Sequence, residues 1–204
     1  MRNAVTLIGL LGPIILGLST IIAIAFAPWF NIFVNPLSDL GDPQLASSTS
    51  WIFDLGLILS GIMIASFTVL LRTLPDGEKQ VWQITLATGG SGLALIGIVP
   101  ETYLLIHLAI AIPSLALADF SMVLYGLAHL KDSQRNYGML VLLFGIVSFS
   151  VWIIRWPWHG VALQESIGST LVMIWILTIA LKNRKAARAS SNRTVDYSSD
   201  YLQK

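Results

Sequence analysis

Glu101, His107 and Glu165 carry the residue types best suited to acid–base chemistry: a carboxylate and an imidazole six positions apart, and a second carboxylate opening a later apolar run. A carboxylate at the edge of an apolar pocket can serve as a general base, with an imidazole beside it to relay the proton. Ser38, Asp39, Asp54, Arg155 and His159 fall on the same side of the chain once its apolar runs are laid out as crossings, and they join the candidate ligand-binding set. Structural pairing is the plainest use of these groups, with Arg155 bridging to Glu101, Glu165 or Asp54. A metal reading would draw on His107, His159 and one or two carboxylates, a donor set that suits zinc. Neither an i, i+4 histidine pair nor H-E-x-x-H is present, so no metal site and no cofactor is expected. Ser38 beside Asp39 lacks both a histidine at a diagnostic separation and a nucleophile elbow. With no cysteine in the chain, disulfides, thiolate sites and thiol nucleophiles are excluded.

Asp119 stands apart. It follows His107 by 12 positions in one apolar run, about 18 Å deeper at the helical rise of about 1.5 Å per residue. An aspartate at such depth costs roughly 2.5 to 3.5 kcal/mol to insert and must turn into the protein. Ser148, Ser150, Thr85 and Thr88 are its candidate partners, and a proton or cation relay is the functional alternative to a hydrogen-bonded core carboxyl.

The elements that position these residues are membrane spans. The chain is 55% hydrophobic and 11% charged, with a mean hydropathy of +0.75, too little charge to clothe a soluble globule of 204 residues. Its apolar runs predict an all-α, polytopic transmembrane bundle of six helices over about 5–29, 51–73, 82–99, 104–130, 138–156 and 164–181. Residues 1–182 form the one domain, and 183–204 read as a basic and then polar flexible cytoplasmic tail. The first run is too long for the apolar core of a secretory signal. Eleven of the 12 Lys and Arg residues fall on one side of the alternation, Arg155 alone on the other. The positive-inside rule therefore puts both termini in the cytoplasm of a multi-pass plasma-membrane protein, and the acids and imidazoles outside. Leu74–Gln80 and Lys131–Asn136 read as tight cytoplasmic turns. A net charge of +1 without a basic stripe argues against a nucleic-acid partner. The bilayer is the expected partner, with other membrane subunits or a second copy of the chain as further candidates.

Small residues such as Gly9, Gly12, Gly56, Gly61, Gly89, Gly90 and Gly97 predict close helix contacts. Gly89-Gly90-Ser91-Gly92 is no phosphate loop, because no lysine follows and the run lies inside a span. Trp29, Trp51, Trp152, Trp156 and Trp158 read as an interfacial belt.

Asn35-Pro36-Leu37-Ser38-Asp39-Leu40-Gly41, Gly97-Ile98-Val99-Pro100-Glu101 followed by His107, and Gly160 to Glu165 leading into a span with Trp175 resemble domain-of-unknown-function family 998, prokaryotic membrane proteins of roughly six helices. The resemblance covers Leu7 to about Leu181, and the Pro-Leu-Ser-Asp-Leu-Gly element is its most specific part. Val99, where an aromatic is expected, and Asp54, where asparagine is commoner, depart from the pattern. The resemblance implies a shared cluster of Ser38, Asp39, Glu101, His107 and Glu165, with no biochemistry attached. Three classes follow from the residues. A binding or scaffold protein, or an accessory subunit of a membrane complex, leads. A hydrolase of a lipid headgroup or small molecule would use Glu101, His107 and Glu165. A small transporter would use Asp119, although the two halves of the chain show no inverted repeat.

Overall fold

The computed structural model describes residues 1–46, 48–74 and 79–202, with side chains described through Lys185. Six α-helices make up the framework: α1 (Arg2–Ala25), α2 (Ser50–Thr73), α3 (Val81–Ile98), α4 (Leu104–Ala128), α5 (Arg135–Ile153) and α6 (Ala162–Leu202). All six are long and apolar enough to cross a membrane, α6 over Ala162–Lys185. Two short 3-10 turns, Leu37–Gly41 and Glu101–Tyr103, lie in connections at one end of the bundle. Pro75 to Glu78 of the expected Leu74–Gln80 turn lie outside the described residues, as do the side chains of the expected tail beyond Lys185.

Helix ends differ from the sequence reading where local chemistry overrides hydropathy. α1 stops at Ala25 rather than running to Trp29, because Pro28 disfavours helix in the residue before it and lacks an N–H to continue the ladder. α5 begins at Arg135, earlier than its apolar run, since polar residues readily form the first turn of a helix that emerges from the bilayer. α3 opens on a capping box: the Gln80 and Gln83 side chains and backbones satisfy each other's free groups.

Consecutive helices pack side by side, and α6 closes the ring against α1. Glycines set the spacing at these seams. A Cβ on Gly61 of α2 would lie 2.4 Å from the Ala94 nitrogen and 2.5 Å from the Gly90 oxygen of α3. A Cβ on Gly126 of α4 would stand 2.8 Å from the Gly138 oxygen of α5. Backbones this close gain dispersion contacts that leucine would forbid, and such packing supports helix association in lipid, where no hydrophobic force draws helices together. Large apolar side chains are exposed on all six helices, including Leu7, Ile62, Leu95, Leu105, Ile146 and Ile174. This is the outer face a bilayer solvates.

The two ends are built differently. At the end where α1 and α5 begin, Phe67, Leu86, Met122, Trp175 and Ile176 form a dense core. Trp82, Tyr125 and Trp175 meet edge to face there, and His129 stacks on Tyr125 with ring centroids 4.0 Å apart. Lys182 sits 3.2 Å from the centre of the Tyr137 ring. At the opposite end, the long connection between α1 and α2 folds over the ring as a cap. Its residues Phe33 and Asn35 accept the backbone N–H groups of Gly160 and Ala162. The cap is thereby fastened to the start of α6.

Candidate functional site

Under the cap lies a cavity of about 290 Å³. Leu16, Leu57, Leu93, Ile96, Leu115 and Met173 supply much of its apolar wall, while Ser38, His107, Glu165, Ser166 and Ser169 supply polar groups. Its wall thus combines a large apolar area with a few polar groups.

Several acidic groups at this end are held by the cap or by a helix start. The Glu165 carboxylate, in the first turn of α6, accepts the Leu37 backbone N–H at 2.7 Å. Asp39 accepts a hydrogen bond from the Asn35 amide at 2.7 Å. Asp42 accepts the Gln44 N–H at 2.8 Å and the Thr102 hydroxyl at 2.7 Å, tying the cap to the turn between α3 and α4. Asp54 of α2 packs so tightly against the cap that a Cβ on Gly41 would fall 2.2 Å from its carboxylate oxygen.

His107 is 4% exposed, and its Nδ1 lies 2.7 Å from the Val99 carbonyl. A carbonyl can only accept, so Nδ1 carries the proton and Nε2 of the neutral ring is the basic nitrogen. Glu101 lies close enough to His107, Asp39 and Asp42 to interact with each electrostatically. Ser38 is within interaction range of the same carboxylate, although no hydrogen bond of standard geometry is formed, and Glu101 Oε2 is buried without a partner. Glu165 in turn faces Glu101 and Asp39.

The fold therefore gathers Ser38, Asp39, Glu101, His107 and Glu165 at one end, with Asp54 and Asp42 adjacent. It does not bring Arg155 or His159 in. Both are exposed in the connection between α5 and α6, and among the described residues no ion pair joins Arg155 to a carboxylate, contrary to the pairing read from the sequence. Ile154 adopts an extended backbone at the end of α5 and breaks its helical path. Nor is any group of three His, Asp or Glu among the described residues arranged to hold a metal ion. Carboxylates crowded away from water, with an imidazole as their nearest basic group, attract a cation or a hydrogen-bond donor.

Asp119 is 5% exposed and lines a smaller cavity of about 50 Å³, continuous in its walls with the larger one through Leu16, Leu93, Leu115, Glu165, Ser169 and Met173. Of its four candidate partners only Ser148 faces it. Ser150, Thr85 and Thr88 each donate to a carbonyl of their own helix.

Sequence reasoning passed over two groups at the site and one buried histidine at the opposite end. Gln164 lines the smaller cavity with its Oε1 buried and unpartnered, and its neighbour Glu165 drew the attention. The Leu37 amide is a backbone group with no sequence signal. His129 is 1% exposed beneath the aromatic core, its Nδ1 2.8 Å from the Tyr125 carbonyl and its Nε2 3.9 Å from Asp132. The i, i+3 spacing of His129 and Asp132 was the available signal.

No curated protein and no solved structure matches the chain. A family model described as "Protein of unknown function (DUF998)" matches residues 10–182. With most of its length matched, including every residue that lines the two cavities, the chain belongs to the DUF998 family.

Proposed function

We propose that this protein is a membrane-embedded binding protein for a small amphiphile whose headgroup is cationic or donates hydrogen bonds. The observation that carries the reading is the cavity of about 290 Å³ with hydrocarbon walls and Glu165, His107 and Ser38 at its polar surface. The headgroup sits among Ser38, His107 and Glu165, with Glu101 in electrostatic range of His107, and the apolar part lies against Leu57, Leu93 and Met173. Exposed apolar residues are spread around all six helices, which supports a protein surrounded by lipid more than an accessory subunit built around one partner. Orientation follows from the cations: the capped end is extracytoplasmic, both termini are cytoplasmic, and the plasma membrane is the site of action.

Native mass spectrometry of the protein purified in mild detergent tests this. A reproducible adduct of amphiphile mass in the wild type, lost in Glu165→Gln and His107→Ala with folded protein retained, supports it. Adduct-free protein from both native membranes and lipid-supplemented detergent overturns it.

A hydrolase acting on a headgroup or small molecule is the second reading, favoured by the His107 tautomer, which leaves Nε2 as a base near Glu101. In that case Glu101→Gln would retain the adduct and stop its turnover, whereas a binding protein returns the amphiphile unchanged.

A further inference from the structure

Asp119 and Gln164 stand in the wall of the smaller cavity, and Ser148 faces Asp119. Asp119 from α4, Ser148 from α5 and Gln164 from α6 are 5%, 0% and 6% exposed. Ser148 Oγ and Gln164 Oε1 have no hydrogen-bond partner. Gly168, one turn beyond Gln164 on α6, marks where two of the groups meet: a Cβ placed there would lie 2.9 Å from Ser148 Oγ and 3.7 and 3.8 Å from the two Asp119 carboxylate oxygens. Among the described residues no lysine, arginine or histidine forms an ion pair with Asp119. Buried oxygens normally find partners, and a buried carboxylate without a countercharge is costly. Helices α4 and α6 thus present Asp119 and Gln164 to one small cavity, and α5 adds Ser148 beside Asp119.

We infer that Asp119, Ser148 and Gln164 form a binding site for a monovalent hard cation, with sodium as the fitting case. Oxygen donors select hard cations over soft metals, and a single carboxylate neutralises a single positive charge. A volume of about 50 Å³ accommodates such an ion with water, since one water needs roughly 10–15 Å³ on this measure. The approach is from the capped end, through the walls shared with the larger cavity. On the far side Met122, Trp175 and Ile176 are fully buried in dense packing, so no route opens there. The three proposed ligands are not among the residues assigned to the amphiphile above, although the two cavities share Glu165, Leu93 and Met173 in their walls.

Binding of ²²Na⁺ to the full-length protein in non-ionic detergent, together with thermal unfolding in sodium chloride against choline chloride at equal ionic strength, tests the inference. Saturable binding by the wild type, a sodium-specific rise in Tm of several degrees, and loss of both in Asp119→Asn are expected. Ser148→Ala and Gln164→Leu keep the test open should Asp119→Asn fold poorly; each should weaken sodium binding on the order of tenfold. Absence of sodium binding by the wild type overturns the site, as does binding that survives in all three variants. A higher Tm for Asp119→Asn with no sodium effect in either protein also overturns it, identifying the aspartate as a protonated core carboxyl.

Discussion

The Glu165 carboxylate and the Leu37 backbone N–H are 2.7 Å apart across 128 positions of sequence. This bond joins the start of the last helix to the cap. Glutamine at 165 retains an oxygen that can accept the Leu37 N–H, so Glu165→Gln should keep the cap in place. Glu165→Ala leaves the amide without a partner, at a cost of about 1–3 kcal/mol. Hydrogen exchange at Leu37 should be fast in the alanine variant and near wild type in the glutamine variant. Equal exchange in the two would show that the cap is held by other contacts.

Hydropathy made the six crossings legible because a bilayer requires long uncharged runs and forces their backbones into helix. The glycines announced close seams for the same elementary reason: only a missing side chain lets backbones approach. What hydropathy does not encode is how the connections fold back over the bundle. Asp42 and Thr102 are 60 positions apart, and nothing in either local sequence specifies their bond. Grouping acids by side put Glu101, His107 and Glu165 together, and they lie near one another in the fold, but the same logic swept in Arg155 and His159. Being at one membrane face is a coarser property than being in one pocket. Buried groups partnered by backbone, such as His107 with Val99 and His129 with Tyr125, leave no charge pattern from which to infer them.

Gly61 permits the tightest approach of α2 to α3. A Cβ there meets two backbone atoms, the Ala94 nitrogen at 2.4 Å and the Gly90 oxygen at 2.5 Å, and neither can rotate away. Gly61→Ala should therefore separate the helices and cost about 3 kcal/mol, at the upper end of ordinary overpacking penalties. Thermal unfolding in detergent checks this, with a drop of many degrees expected. A wild-type midpoint would mean that the seam is more compliant than its geometry indicates.

The absence of cysteine from the chain makes single introduced thiols clean reporters of sidedness. Gln44 in the cap and Ser133 in the turn between α4 and α5 are both exposed. With the capped end outside, a membrane-impermeant maleimide should label Gln44→Cys in intact cells and label Ser133→Cys only after permeabilisation. The reverse pattern would invert the proposed orientation and place the carboxylate cluster in contact with the cytoplasm.

Gly17 separates packing from binding. It lines the large cavity on α1, and a Cβ there would have only the Met173 sulfur within reach, at an ordinary 3.9 Å. Most other glycines in the helices would drive a Cβ into a neighbour. Gly17→Leu should thus project into the cavity without displacing backbone, and replacing glycine within a helix contributes roughly 0.5–1 kcal/mol of stability. The expected variant unfolds at or above the wild-type temperature and has lost its amphiphile adduct, because the leucine occupies the space of the alkyl group. A stable variant that retains the adduct would move the binding site elsewhere. An unstable one would show that α1 and α6 pack more closely at this level than the Met173 distance implies.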